Sequence, residues 1–293
     1  MVQRNSLRYT LGSVPYVNGR PLVWAFESGQ AAMPVDVRYA VPSLLPSMLD
    51  SGEADAVLAS SIESLISPNR KVANGVGIAS EGPVESVRLF SRVPFGQIRR
   101  LALDQSSLTS NALAQILLAD RFGAKLVAEP RPPELNRMLE EFDAGVLIGD
   151  IGMKTDGTGL HVLDLGQAWT EWTGLPFVWA LWIGNERLTP ELSGFLNLAR
   201  RLAGLGAGSG LASLGQAKLI KAIANDSGWE PDEVERYLTR VIGFDLTDRH
   251  WAGLREFRQK LANHGYPVQD TMPEIVEPEV QPDDPRLAQA SPA

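Results

Sequence analysis

The stretch LGSVPYVNGRPL, Leu11–Leu22, decides the fold. It follows the apolar alternation Leu7, Tyr9, Leu11, so it reads as a first β-strand breaking into a loop. A helix carrying Leu22, Val23 and Phe26 comes next. Gly12, Pro15, Gly19 and Pro21 fix the loop backbone, which leaves Ser13, Tyr16 and Asn18 to face whatever lies beyond the strand end. In an open α/β sheet ligands bind outside the carboxyl ends of the strands. Asn18 is therefore the first candidate contact residue, the plainer reading being an Asn that shapes a turn or caps the helix.

Outward from that loop the same unit recurs. Val35–Val41 alternates like a second strand, and the segment after Pro42 reads as a helix with Leu44, Leu45, Met48 and Leu49 on one face and Gly52 at its end. Ala54–Ser60 is a short buried strand, after which Ser60 or Ser61 is placed to cap a turn; Ser60 and Glu63 have capping-box spacing. The segment from Gly75 is strand-like again. Val84, Val87, Leu89 and Phe90 form an apolar run up to Pro94, long enough to cross into a second lobe. There the pattern repeats. A strand at Leu101–Leu103 leads through the turn Ser106, Ser107, Thr109, Ser110 into a helix that buries Leu113, Ile116, Leu117 and Phe122 and stops at Gly123. A strand at Lys125–Ala128, a short helix at Leu135–Glu141 and the apolar run AGVLIGD carry the chain to Asp150. LPFVWALWIGN would make the return crossing.

The remainder has apolar spacings of three and four, predicting helices at Pro190–Leu205, Leu211–Ser227, Pro231–Thr239 and Asp248–His264. The expected organisation is an α/β fold with one lobe over 1–88 and 182–267 and a second over 89–181. Hinges fall near Arg88–Ser91 and Trp179–Trp182, and Gly204–Gly210 forms a flexible connection. From 268 to 293 the chain is acidic, Pro-rich and without a core pattern, which predicts a mobile tail.

A net charge of -8 argues against nucleic acid as a partner, because duplex binding needs a basic surface. The absence of cysteine removes disulfides, thiolate metal sites and cysteine nucleophiles together. The start lacks an apolar signal run and no stretch approaches the roughly 18 apolar residues of a membrane span, so a cytoplasmic protein with no membrane partner is expected. His161, His250 and His264 have no metal-ligand spacing. Neither a phosphate loop nor a nucleophile elbow is present.

Polar turns follow strands at Ser13–Asn18, Ser60–Ser61, Ser106–Ser110 and Ile148–Asp150. Hydroxyls beside the free N–H groups of helix starts suit carboxylates. Helix capping needs one hydroxyl, and the Ser106–Ser110 turn has more than that. Ser86, before the first crossing, is on its own an ordinary strand residue. Asp150 closes an apolar strand, where it could act as a base, orient a hydroxyl or cap the next turn. Trp169, Trp172 and Phe177 could floor the cleft or belong to the core. Arg20 and Arg88 could pair with a carboxylate or lie in solvent.

The blocks SVPYVNGRPL, LDSGEADAVLASSIE, GPVESV, SSLTS and LIGD, with LDLGQAWTEWTGLPFVWALW above all, resemble the chorismate dehydratase family of the futalosine route to menaquinone. The resemblance covers roughly residues 6 to 265. It implies the two-lobed fold of type II periplasmic binding proteins with a cleft between the lobes and a helical C-terminal part. It also implies work in the cytoplasm without metal or organic cofactor, and loss of water from chorismate, a dicarboxylate, to give 3-[(1-carboxyvinyl)oxy]benzoate. By motif, Asn18 matches the family's active-site Asn, Asp150 the aspartate that closes its LIGD, Ser86 a serine beside the crossing, and Ser106–Ser110 a carboxylate-binding helix start. Ser60 and Ser61 fall where the chain departs from the family pattern. The rival readings are a solute-binding protein of the same fold and the sister enzyme that makes 1,4-dihydroxy-6-naphthoate, which resembles LIHE where this chain has Gly149.

Overall fold

A computed structural model describes residues 9–30, 35–205 and 212–279, and of 212–214 the backbone only. The strands divide between two sheets. β1 (Tyr9–Ser13) runs through the opening loop and a 3-10 turn into the short α1 (Trp24–Glu27). Next come β2 (Val35–Tyr39), α2 (Leu45–Asp50), β3 (Ala56–Ser60), α3 (Glu63–Ile66) and the long β4 (Lys71–Ser80). The chain then builds the second sheet with β5 (Arg88–Ser91), β6 (Arg100–Asp104), α4 (Thr109–Phe122), β7 (Val127–Arg131), α5 (Leu135–Glu141), β8 (Ala144–Leu147), α6 (Gly149–Lys154), β9 (His161–Asp164) and α7 (Leu165–Thr173). β10 (Phe177–Gly184) returns to the first sheet. The last part holds α8 (Pro190–Leu202), α9 (Ala212–Ser227), α10 (Pro231–Arg236), a π-helical turn at Tyr237–Val241, β11 (Gly243–Asp245), α11 (Asp248–Asn263) and β12 (Glu274–Val276).

Strand order explains where a site can form. The first sheet runs β11-β4-β10-β3-β1-β2, with β12 also on β4; the second runs β7-β6-β8-β5-β9. In the first, β1 pairs in parallel with β2 on one side and β3 on the other. In the second, β6 pairs in parallel with β7 and β8 in the same way. Each sheet thus has a switch point, where successive connections leave a strand in opposite directions and open a crevice at its carboxyl end. The loops in those crevices are the opening loop after β1 and the hydroxyl turn after β6. Every residue of β3, AVLAS, is buried, as expected of an inner strand covered on both faces.

Three expectations need correction. The apolar runs taken for hinges are strands: β5 lies wholly in the second sheet and β10 wholly in the first, so the connections between sheets are 81–87 and 174–176. Phe177–Leu181 consequently belongs with the first sheet, because runs so rich in β-formers bury themselves between strands. The tail does not begin at 268 as a mobile segment. β11 pairs with β4 from Val76 to Ala79, which leaves the Lys71–Ala73 edge open, and β12 fills it in parallel. Ser193 Oγ donates to the Val276 carbonyl at 3.0 Å and Gln269 N to that of Leu65 at 2.8 Å, fastening this return. Leu7, residues 206–210 of the glycine-rich connection and the tail from 280 lie outside the described residues.

Candidate functional site

The two switch points face each other across a cavity with ≈ 590 Å³ of empty space, its open mouth included. The opening loop crosses from the first lobe toward the second. Gly149, at the start of α6, has φ +60°, and the Tyr16 ring lies 3.4 Å from where a Cβ would stand. Tyr16 also interacts with the Ser106 hydroxyl, and burial pushes its phenol up. Asp150, next along α6, accepts a hydrogen bond from the Val17 backbone; desolvation raises its carboxyl, with that bond and Lys154 opposing.

The hydroxyl turn is folded around Asp104, which is buried. Its carboxylate accepts from Ser106 N at 2.9 Å, Ser106 Oγ at 2.6 Å and Ile148 N at 3.3 Å. Its carbonyl accepts from Ser107 N at 3.0 Å and from the Asn111 amide at 2.8 Å. Ser106 is thereby committed inward, while Ser107, Thr109 and Ser110 line the cavity. No side chain caps α4, and among the described residues no group accepts from the N–H of Thr109 or Ser110. A fourteen-residue helix therefore presents its positive end to the cavity. Thr109 also bridges the lobes: its Oγ1 accepts from Ile62 N at 3.1 Å.

Ser86 stands on the opposite wall, in the 81–87 connection. Asp164 fixes this segment by accepting from Val84 N and Glu85 N at 3.1 and 2.7 Å. Glu85 has φ +60° and makes two hydrogen bonds with Arg236 at 2.7 and 2.6 Å. One residue further, Tyr237 Oη donates to Ser86 Oγ at 2.8 Å. The Asn18 amide interacts with the same phenol, which is fully buried and driven upward by desolvation. Asn18 Oδ1 has no hydrogen-bond partner among the described residues, although it is shielded from bulk water. Apolar walls come from Leu58, Ile78, Ile148, Trp179 and Ile242.

Tyr16, Asn18, Ser60, Ser86, Ser107, Thr109 and Ser110 are thus brought together on the cavity. Ser13, Ser61, Ser106 and Asp150 are not part of its lining. Ser13 is buried with its Oγ unpartnered among the described residues, and Ser61 Oγ donates to the Val178 carbonyl at 2.7 Å. Ser106 serves Asp104, and Asp150 sits beside lining Gly149. Trp169 and Phe177 do not floor the cleft. Their rings, 5.1 Å apart, pack with Phe257 in the core, and Trp172 sits edge-on to Trp169. Trp179 lines the cavity instead, held by Nε1 donation to Ser80 Oγ at 3.0 Å. Arg20 pairs with Asp226, and the Arg88 guanidinium donates to the carbonyls of Gly152, Met153 and Thr155. No Lys, Arg or His is found among the described residues lining the cavity.

Sequence reasoning overlooked Asp104 and Tyr237. Asp104 closes the strand LALD before a polar turn, the same signal that drew attention to Asp150, and could have been found by it. Tyr237 lies inside a helical pattern that gave no sign of a bend.

The two sheets with a cavity between them make a fold of the periplasmic-binding-protein class. The periplasmic aliphatic sulphonate binding protein of Escherichia coli superimposes with a TM-score of 0.62 at 13% identity, covering 94% of each chain. A crystal structure from Archaeoglobus fulgidus gives a TM-score of 0.70 at 17% identity, covering 89% of this chain and 99% of that one. Within the class, residues 9–263 match the profile of the menaquinone biosynthesis family, and the chain belongs to that family. It is 30% identical over 250 residues to the chorismate dehydratase of Thermus thermophilus, covering 77% of this chain and 86% of the relative. Among the described residues no helix is long and apolar enough to cross a membrane.

Proposed function

We propose that the chain is a hydro-lyase that takes chorismate to 3-[(1-carboxyvinyl)oxy]benzoate, a cytoplasmic step of menaquinone biosynthesis needing no cofactor. The observation that carries this reading is the cavity wall. It offers hydroxyls, an uncapped helix start and apolar surface, without a cationic side chain, to a dicarboxylate ring. In the reaction the C3–H bond breaks and its electron pair becomes the new ring double bond. The C4–O bond breaks, and the hydroxyl leaves with one proton as water. Aromatisation supplies the driving force, so holding the ring in a dry, oriented state accounts for much of the catalysis.

In this reading Ser107, Thr109, Ser110 and the N–H groups of Thr109 and Ser110 hold a carboxylate. Asn18 Oδ1 accepts from the C4 hydroxyl and orients it for departure, while Ser86 donates to a substrate oxygen. The C3 proton goes to a carboxylate of the substrate itself, or to Asp150 beside the lining residue Gly149, and the same group returns it to the departing hydroxyl. The test is to incubate pure protein with chorismate and a chelator, follow loss of chorismate absorbance and weigh the product. A product lighter by one water, formed at catalytic protein levels and slowed about a hundredfold in Asn18→Ala, is the expected result. Tight binding without turnover would make the chain a binding protein.

A further inference from the structure

The two cavity residues with the least obvious support, Asn18 and Ser86, come from distant segments, the opening loop and the first connection between the sheets. Both meet one side chain from a third segment. Tyr237 follows α10 at the first position of the π-helical turn, where Ile242 N bonds to the Tyr237 carbonyl at 3.1 Å. Such widened turns recur at functional sites because they rotate a side chain out of helical register. The adjoining Arg236–Glu85 pair and the Trp229 ring, 5.5 Å from the Tyr237 ring, fix the approach.

From these contacts we infer that Tyr237 is a positioning residue, setting which hydrogen-bonding face Ser86 and Asn18 turn to the substrate. This rests on the function proposed above. A phenol has one proton to give. Tyr237 gives it to Ser86 Oγ, so the Ser86 hydrogen must point elsewhere, and the cavity is the open direction. The Asn18 amide meets the same phenol, and its Oδ1 is left without a partner among the described residues. One phenol thus leaves the site a donor at Ser86 and an acceptor at Asn18. That pair matches a substrate which must give a hydrogen bond from one oxygen and take one at another. Without the phenolic proton the Ser86 hydroxyl is free to turn inward, and the match is lost in a fraction of molecules.

The experiment is a double-mutant cycle on chorismate turnover. Tyr237→Phe keeps the ring and removes only the hydroxyl, and a thermal melt checks that it folds. The expected outcome is a fall in kcat of about ten- to hundredfold with little change in KM. In a Ser86→Ala background the same substitution should cost clearly less than in the wild type, since one of its two targets is gone and only Asn18 remains. Ser86→Thr, which keeps a hydroxyl, should restore the sensitivity to Tyr237→Phe. Equal losses in both backgrounds, a change confined to KM, or a fully active Tyr237→Phe would each overturn the inference while leaving the dehydratase reading intact. A wild-type chain that leaves chorismate unchanged would overturn both.

Discussion

Asp150 shows how one residue can answer to two demands. Its carboxylate accepts from Val17 N and so ties α6 to the opening loop, yet desolvation leaves its folded-state pKa above the ordinary Asp value. A carboxyl raised on folding favours the native state when protonated and opposes it when ionised, so its penalty appears as pH rises through the folded pKa. Asn at this position keeps the acceptor and discards the charge. Asp150→Asn should therefore melt above the wild type at pH 7, and the difference should vanish below the ordinary Asp range near about 3.9. A variant no more stable at pH 7 would show that the Val17 bond needs the charge. Turnover of the same variant addresses the base, because a normal rate removes Asp150 from that role. At this scale much could be read in advance. Clustered hydroxyls exceed what capping requires, whereas Asn18 was singled out only by its place after a strand, since an Asn beside a Gly serves equally well to shape a turn. Tyr237 could not be read, because its value depends on a contact across 151 positions of chain.

Among the elements, α6 is a close fit against the cavity wall. It is six residues long and packs so closely on the first connection that a Cβ at Gly152 would meet the Ser86 and Leu147 carbonyl oxygens. Those are backbone atoms that no rotamer change can move. Gly152→Ala should push α6 away from the segment carrying Ser86 and lower turnover by about tenfold or more, since ångström displacements at a site have that effect. Gly243→Ala, which meets no atom within 4 Å, should match the wild type in rate. If the two variants behave alike, the close approach does not matter to the site. The long β–loop–α units were legible because their periodicities switch from two to three and four within a few residues. α6 and β12 were not. A six-residue helix opening on glycine has too few turns to show a stripe. The three residues of β12, flanked by prolines, become a strand only because β4 offers an unfilled edge.

For the molecule as a whole, the symmetry of design is the lesson the sequence carried best: β2-β1-β3 in one sheet is repeated as β7-β6-β8 in the other. The recurrence of strand, polar turn and helix in both halves was enough to expect two lobes and a site between them. It could not place the crossings, since the apolar runs assigned to them are as suited to a sheet interior as to a linker. Contacts such as Ile62 N to Thr109 Oγ1 then hold the lobes together over the cavity.

The wall without a cation has a kinetic side. A chain of net charge -8 meeting a dianion at a cavity with no cationic side chain among its described lining residues has a long-range field that opposes the encounter. Backbone and hydroxyl dipoles act only at contact. Added salt should then speed productive collisions: kcat/KM should climb between low ionic strength and about 0.15 M, as the screening length shrinks to about 8 Å, while kcat stays level. A falling kcat/KM would mean that basic surface groups outside the cavity steer the ligand in. If the climb is seen, the protein selects its ligand after arrival, by fit within the cleft, and does nothing to hasten the approach.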